Sequence, residues 1–273
     1  MQKKVLIITY YFPPSGGSGV QRWLKFVKYL PEFNIQPIVL TVDEKYASYP
    51  QYDDSLMTDV SKDLRIEKTK TCEILSLYKR LSPTKEVPYG GFSNEKKPNL
   101  FQKLSRFVRG NFFLPDPRRG WNKYAYKKAC EIIEQEHIET IITTSPPHST
   151  QLIGLRLKKR FPMIKWIADL RDPWTEIYYN KDLYQTKFAR HINRHYEIQV
   201  LKTADKIITV SESCKSMFEK KVDIKEKINV ISNGYDEDDF ANVKTNKDNS
   251  NFVISYIGVL SPQYEIDTFI AAV

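Results

Sequence analysis

Residues 1–30 read MQKKVLIITYYFPPSGGSGVQRWLKFVKYL. The run KVLIITY (4–10) has the unbroken β-branched character of a strand buried on both faces. The segment 19–30 carries apolar residues at helical spacing. Between them lies a loop with Gly16, Gly17 and Gly19, in a chain with only 10 glycines. A glycine loop that feeds a helix N-terminus offers free backbone N–H groups to an anion. The competing reading is a turn that merely lets the chain reverse.

The same alternation continues downstream. QPIVLTV (36–42), ETIITT (139–144), IKWIAD (164–169), DKIITVS (205–211) and KINVIS (227–232) read as strands. Helices are expected at about 149–160, 183–203 and 212–221. Strands alternating with helices imply right-handed crossovers and a parallel sheet. The expected fold is therefore α/β, a doubly wound Rossmann-like parallel sheet. Residues 43–63 read as a long surface loop, and 83–120, with five prolines, as a second irregular region. Inside the latter, Leu100, Phe101, Leu104, Phe107 and Val108 recur at helical spacing with Lys103, Arg106 and Arg109 between them. The polar stretch 241–251 has a linker's composition, and FVISYIGVL (252–260) looks like the strand of a new unit, followed by a turn and a helix.

Composition narrows the function. Hydrophobic residues make up 41% and charged residues 27% of 273 residues, enough apolar material for a full core. No apolar run reaches the roughly 20 residues of a membrane helix. The N-terminal apolar stretch is too short, and its flank too basic, for a signal peptide. Cys72, Cys130 and Cys214 are far apart with no CxxC pair, which argues against a zinc site or a disulfide framework and for a cytoplasmic location. The net charge of +9 suits an anionic partner.

Several familiar phosphate loops are excluded by spacing. A dinucleotide fingerprint needs G-x-G-x-x-G directly after the strand, and Arg22 stands where the third glycine would be. Asp43 lies near the place of a ribose-binding acid, so an NAD-dependent enzyme remains an alternative. The ATP loop needs a terminal G-K-[ST], absent here. A basic nucleic-acid-binding module is a third class, with 99–113 as its candidate face. His191 and His195 are spaced i, i+4, but no third ligand is indicated, and they read as helix-surface histidines.

SGGSG, SPPH, DLRDPW and Asn-Gly each fall at a strand's carboxyl end, where open parallel sheets bind ligands. The longer segments, in chain order, are FPPSGGSGVQR (12–22), LPDPRRGW (114–121), TTSPPHSTQLIGLRLKKRF (143–161), WIADLRDPW (166–174), ADKIITVSE (204–212), VISNGYDEDDF (230–240) and ISYIGVL (254–260). This set resembles bacterial family-4 glycosyltransferases, retaining enzymes of the two-domain GT-B fold. The resemblance implies that residues 1–245 form the N-terminal, acceptor-side domain and that 252–273 begin the C-terminal, donor-binding domain. The family's paired glutamates on that second domain have no counterpart here, so this chain alone is expected to be inactive.

The resemblance also implies site residues. Gly16, Gly17, Ser18 and Gly19, with Gly258 from the far side, match positions that meet the donor diphosphate. Arg22, Arg171 and Asn233 are expected to bind substrate. His148 matches a histidine that contacts the transferred sugar, and its place before a helix favours the neutral ring. Asp172 and Asp116, each before a proline, are expected to orient or deprotonate an acceptor hydroxyl. Asp169, closing its strand, reads as structural. The implied donor is a nucleotide sugar, the acceptor a saccharide or a lipid-linked species in polysaccharide or glycolipid assembly. No metal, no other cofactor and no nucleic acid is expected. The helix in 99–113 is expected either to pack on the core or to dock on an anionic membrane, the inner face of the cell membrane.

Overall fold

The computed structural model describes residues 2–72, 100–241, 252–258 and 266–272. Seven strands form one parallel sheet: β1 (Lys3–Ile8), β2 (Ile35–Val42), β3 (Arg65–Thr69), β4 (Thr140–Ser145), β5 (Lys165–Leu170), β6 (Lys206–Thr209) and β7 (Ile228–Val230). Their order is β3-β2-β1-β4-β5-β6-β7, and every pairing is parallel. The described helices are α1 (Ser18–Tyr29), α2 (Leu100–Phe112), α3 (Asn122–Glu136), α4 (Ser149–Arg160), α5 (Lys187–Thr203), α6 (Glu212–Glu219) and α7 (Asp267–Ala272). This is the doubly wound Rossmann-like sheet the sequence implied. Its strand order reverses between β1 and β4, which opens a crevice at their carboxyl ends.

The pleat of β1 explains the two layers. Val5 and Ile7 point to one face and pack with Trp23, Leu24 and Val27 of α1. Leu6 and Ile8 point to the other and join Ala125, Ala129 and Ile132 of α3 and Ile153 and Leu157 of α4. Both faces are covered, so the strands read as continuous apolar runs.

Two elements lacked a clear sequence signal. β3 (RIEKT) is an edge strand with mostly half-exposed residues, so it has no apolar run. α3 buries Ala125, Ala129, Ile132 and Ile133, a narrow stripe of small and aliphatic residues among lysines and glutamates. The expected surface loop at 43–63 is only partly so. Ser48 and Tyr49 are buried, a short 3-10 helix forms at Asp54–Asp59, and Tyr52 bridges to Ser15. At the other end, 252–258 contains no strand, contrary to expectation. Its residues are exposed and find no sheet edge among the described residues to pair with. The expected helix beyond it does form, as α7. Part of the second irregular region, 83–99, lies outside the described residues.

The α4 helix packs unusually close to β5. Thr143 Oγ1 donates to Gln151 Oε1 (2.6 Å) and accepts from Trp166 Nε1 (2.8 Å). Gly154, on the same helix, rests directly against the Trp166 indole, where a Cβ would collide with Cε2 and Nε1. Gly154→Ala should therefore destabilise the fold by about 1–3 kcal/mol despite alanine's higher helix propensity. Urea unfolding measures this; a stabilised variant would show that the indole can shift at no cost.

Candidate functional site

The loop from Thr9 to Gly17 is held by its neighbours before any ligand is considered. Gly16 N–H donates to Gln51 O (3.0 Å) and Asp53 N–H donates to Pro14 O (2.9 Å), so the 48–53 segment lies alongside it. Gly17 caps α1 with φ 102°, in the left-handed region that favours glycine. It supplies no side-chain cap, and no acidic residue stands in the first turn of α1. The positive end of the helix dipole is thus left uncompensated by side chains.

A cavity of about 380 Å³ opens at this point. Gly16, Gly17, Gly19, Arg22, Arg171, Asp172 and Asn233 line it, so most of the residues singled out by sequence meet around one space. Tyr11, Val20, Pro50, Pro146 and Val210 complete the wall. They were not foreseen, although Val210 directly follows β6 and Tyr11 lies just beyond β1, positions that could have flagged them. Ser18 opens α1 beside these glycines. Gly258 lies in the exposed 252–258 segment and is not among the lining residues.

The arginines are used differently from expectation. Arg171 was expected to present a free fork to an anion. Instead its Nε donates to Ser145 O (3.1 Å), Nη1 to Gly19 O (2.5 Å) and Nη2 to Pro146 O (2.9 Å). The guanidinium ties the Gly loop to the segment after β4. It also fills the space beside Gly19, where a Cβ would collide with Nη1. Gly19 is therefore needed first for this arginine, and only then for close approach of a ligand. Arg22 is likewise engaged: Nη2 donates to Asp169 Oδ1 (3.3 Å) and Nη1 to Asn233 Oδ1 (3.0 Å) and Ser232 O (3.3 Å).

The three aspartates separate cleanly. Asp169 is fully buried and accepts from Arg22, from Trp23 Nε1 (2.6 Å) and from Thr144 Oγ1 (2.8 Å). Its role is structural, as expected, though through side chains rather than backbone. Asp116 accepts from Ser149 N–H (2.7 Å), Ser149 Oγ (2.9 Å) and Arg118 N–H (2.9 Å), joining the LPDP segment to the start of α4. Both its oxygens are occupied, which is the physical objection to the expected catalytic part. Asp172 alone has a carboxylate with no hydrogen bond among the described residues, and it faces the cavity. Burial pushes its carboxyl above the usual range, with Arg171 opposing and Asp169 assisting.

His148 lies elsewhere than expected. It lines a second cavity of about 60 Å³ with Arg109, Asp116, Trp174, Tyr179 and Asn193, not the Gly-loop cavity. The ring stacks on Trp174 with centroids 4.9 Å apart and planes 9° apart. Both ring nitrogens are buried without a partner. Burial, then the charges of Arg171 and Lys221, lower its pKa from 6.5 to about 3. The neutral ring is as expected, but desolvation is the main cause. The Pro146–His148 and Asp172–Trp174 segments contribute to the linings of both cavities. His191 and His195 are exposed on α5.

The Glycosyltransferase Family 4 profile matches residues 89–239, more than half of the chain. This chain belongs to glycosyltransferase family 4. No curated protein matches it. Among solved structures, apo UGT2 of Phytolacca americana is similar at 9% identity and a TM-score of 0.48, covering 85% of this chain and 52% of that one. Anabaena Alr3699/HepE in complex with UDP-glucose is similar at 11% identity and a TM-score of 0.48, covering 86% and 45%. MurG of Acinetobacter baumannii follows at 13% identity and a TM-score of 0.37, covering 76% and 41%. The chain spans about half the length of the first two.

The state of His148 gives a pH signature. Its folded pKa of about 3 lies below the usual 6.5. Between these values the unfolded chain binds the extra proton, so stability rises with pH across that window and falls as pH drops from 6.5. His148→Phe, which keeps the stacking on Trp174, should flatten part of that slope in urea titrations at pH 4 to 7. Identical slopes for the two proteins would mean that His148 is protonated in the fold.

Proposed function

We propose that this chain is the acceptor-side half of a two-domain GT-B enzyme that transfers a sugar from a nucleotide-sugar donor to a saccharide or lipid-linked acceptor. The observation that carries the reading is the Gly-loop cavity. There the uncapped N-terminus of α1, backbone held by Arg171 and the free carboxylate of Asp172 face one space at the switch point of the sheet. Backbone N–H groups and a helix dipole suit the negative charge that grows on a departing diphosphate.

Transfer with retention requires no protein nucleophile in a front-face path. The bond from the anomeric carbon to phosphate oxygen breaks, the acceptor oxygen bonds on the same face, and the acceptor proton passes to the leaving phosphate. Asp172 orients the acceptor hydroxyl in this scheme, because its carboxylate is uncommitted. Asp116 acts as a positioning residue for the start of α4. His148 offers neutral ring nitrogens to a hydroxyl in the adjoining cavity. Arg22 and Arg171 keep the walls in place and Asn233 closes one of them. Gly258 would approach from the donor side. Work in polysaccharide or glycolipid assembly on the cytoplasmic side belongs to the same proposal.

A membrane-facing surface is part of it too, on a specific observation. Leu100, Leu104 and Phe112 of α2 are 84, 61 and 74% exposed, and Phe107 and Val108 are half-exposed. Arg106 is buried and Arg109 lines the second cavity. The helix therefore does not pack its apolar side on the core, and two of the three cations expected to face lipid turn inward. Gly110 explains the seating: a Cβ there would collide with the Leu183 carbonyl oxygen. No described helix is long and apolar enough to cross a membrane. A peripheral contact through this ridge and Lys103 would rest mainly on apolar burial.

Calorimetric titration with UDP, GDP, ADP and pyrophosphate tests the cavity. At least one nucleoside diphosphate should bind, pyrophosphate should compete, and Gly19→Val should bind none. Asp172→Asn should retain diphosphate binding yet lower turnover of the complete transferase about tenfold or more. Absence of binding by all four ligands at millimolar concentration overturns the reading.

Liposome cosedimentation tests the ridge. Binding should persist at raised salt and fall sharply in Leu104→Asp with the fold intact. Equal sedimentation of the two proteins would remove the membrane from the proposal.

A further inference from the structure

Beyond β7 the chain crosses an exposed turn, Ser232 to Tyr235, before it reaches Asp236. This turn carries Asn233, which lines the Gly-loop cavity. The turn's own packing is slight: the Tyr235 ring meets Phe240 edge-on, with centroids 5.9 Å apart. Ser232, Asn233, Gly234 and Tyr235 are all exposed, and a Cβ at Gly234 would meet nothing within 4 Å. A four-residue turn without buried side chains is held by its ends.

Those ends are well defined. On one side Ile231 N–H donates to Thr209 O (2.8 Å), the last bond that continues the sheet. On the other, Asp236 is 1% exposed and its carboxylate is saturated. It accepts from Lys25 Nζ (2.7 Å), Lys28 Nζ (2.8 Å) and Tyr29 Oη (2.6 Å), all on α1, and from Asp238 N–H (3.1 Å). Hydrogen bonds from Lys25, Lys28 and Tyr29 hold the carboxyl well below the usual range. Lys25 also reaches Asp59 (2.7 Å) and Asp239 (3.0 Å), so the acidic cluster Asp59, Asp236 and Asp239 already surrounds a cation.

The helix these donors belong to is the one whose N-terminus borders the cavity. Arg22, one turn before Lys25, holds Ser232 O and Asn233 Oδ1. One face of α1 thus grips both the turn and its far anchor. We propose that Asp236 is a positioning residue: its clasp on Lys25, Lys28 and Tyr29 holds the Ser232–Tyr235 turn so that Asn233 completes the cavity wall beside Gly17 and Gly19. Without the clasp the turn keeps its tether at Ile231, the Arg22 bonds and the Tyr235–Phe240 ring contact, and regains part of its backbone freedom. This extends the proposed diphosphate site and rests on that reading for its effect on ligand.

Hydrogen exchange and UDP titration on the same proteins test the proposal. In Asp236→Asn, amides of 231–236 should exchange about tenfold faster while those of β1 and β4 do not change. The UDP dissociation constant should rise about tenfold under conditions where circular dichroism shows the variant folded. Lys28→Met, a milder change, should give a smaller effect of the same kind. Glu237→Gln, an exposed neighbour whose side chain takes no part in the clasp, should leave both readouts unchanged. A role through Asn233 further requires that Asn233→Ala add little to Asp236→Asn, whereas independent roles would add. Unchanged exchange in 231–236, or additive losses, overturns the proposal. Faster exchange in Asp236→Asn with no UDP binding by the unmodified protein would keep the positioning role and reject the ligand.

Discussion

A single buried carboxylate ties together the carboxyl ends of the central strands and α1. Asp169, at the end of β5, has no access to solvent, and its oxygens are met by Arg22 and Trp23 of α1 and Thr144 of β4. Those three partners come from both sides of the switch point. A buried charge of this kind is tolerated only when its partners are all present, and removing one leaves an uncompensated ion costing about 3–5 kcal/mol. The constraint therefore fixes the tilt of α1 against β4 and β5. It also accounts for Arg22 where a dinucleotide loop has glycine.

The two arginines of the cavity extend the same logic. Arg22 links Asp169 to the Ser232–Asn233 turn, and Arg171 links Gly19 to the backbone after β4. Both side chains serve as cross-braces between loops from different strands. The cavity they frame presents the glycine loop, apolar side chains such as Val20 and Val210, and the uncommitted carboxylate of Asp172. For a reaction in which charge builds on a leaving group, such preorganised dipoles stabilise the transition state with little reorganisation. The braces make that preorganisation physical, because each wall is tied to another before any ligand arrives.

The second cavity shows how burial alone sets chemistry. His148 sits at the first residue before α4, where a helix dipole disfavours the imidazolium. Yet its low pKa comes first from desolvation, with the charges of Arg171 and Lys221 adding to it. Asp116, beside it, owes its raised pKa to the same cause, opposed by hydrogen bonds from Ser149 and Arg118. A neutral histidine and a fully engaged aspartate thus share this pocket with the Arg109 guanidinium and apolar residues such as Trp174 and Leu183.

Much of the architecture was legible in the amino-acid sequence. The β-branched runs of β1, β2, β4 and β5 are continuous because helices cover both faces, and that continuity is a sequence property. So is the placement of glycine, Asp-Pro and Asn-Gly segments after strands. The edge strand β3 and the helix α3 were hidden, since half-exposed elements carry mixed polarity. Which side chains were free was not legible either. Asp116, Asp169 and Asp172 look alike on the page, and Arg22 and Arg171 look like anion forks. Apart from Arg118 beside Asp116, the side-chain partners lie 25 to 211 residues away, and no local pattern encodes such distances. The outward apolar ridge of α2 is the same case, for amphipathicity gives a helix two faces and only its neighbours decide which one turns inward. The sequence alone determined the sheet, its order of motifs and the end where ligands gather. Tertiary structure decided which polar groups brace the site and which face the cavity, because a hydrogen bond depends on where the chain returns, not on what precedes it.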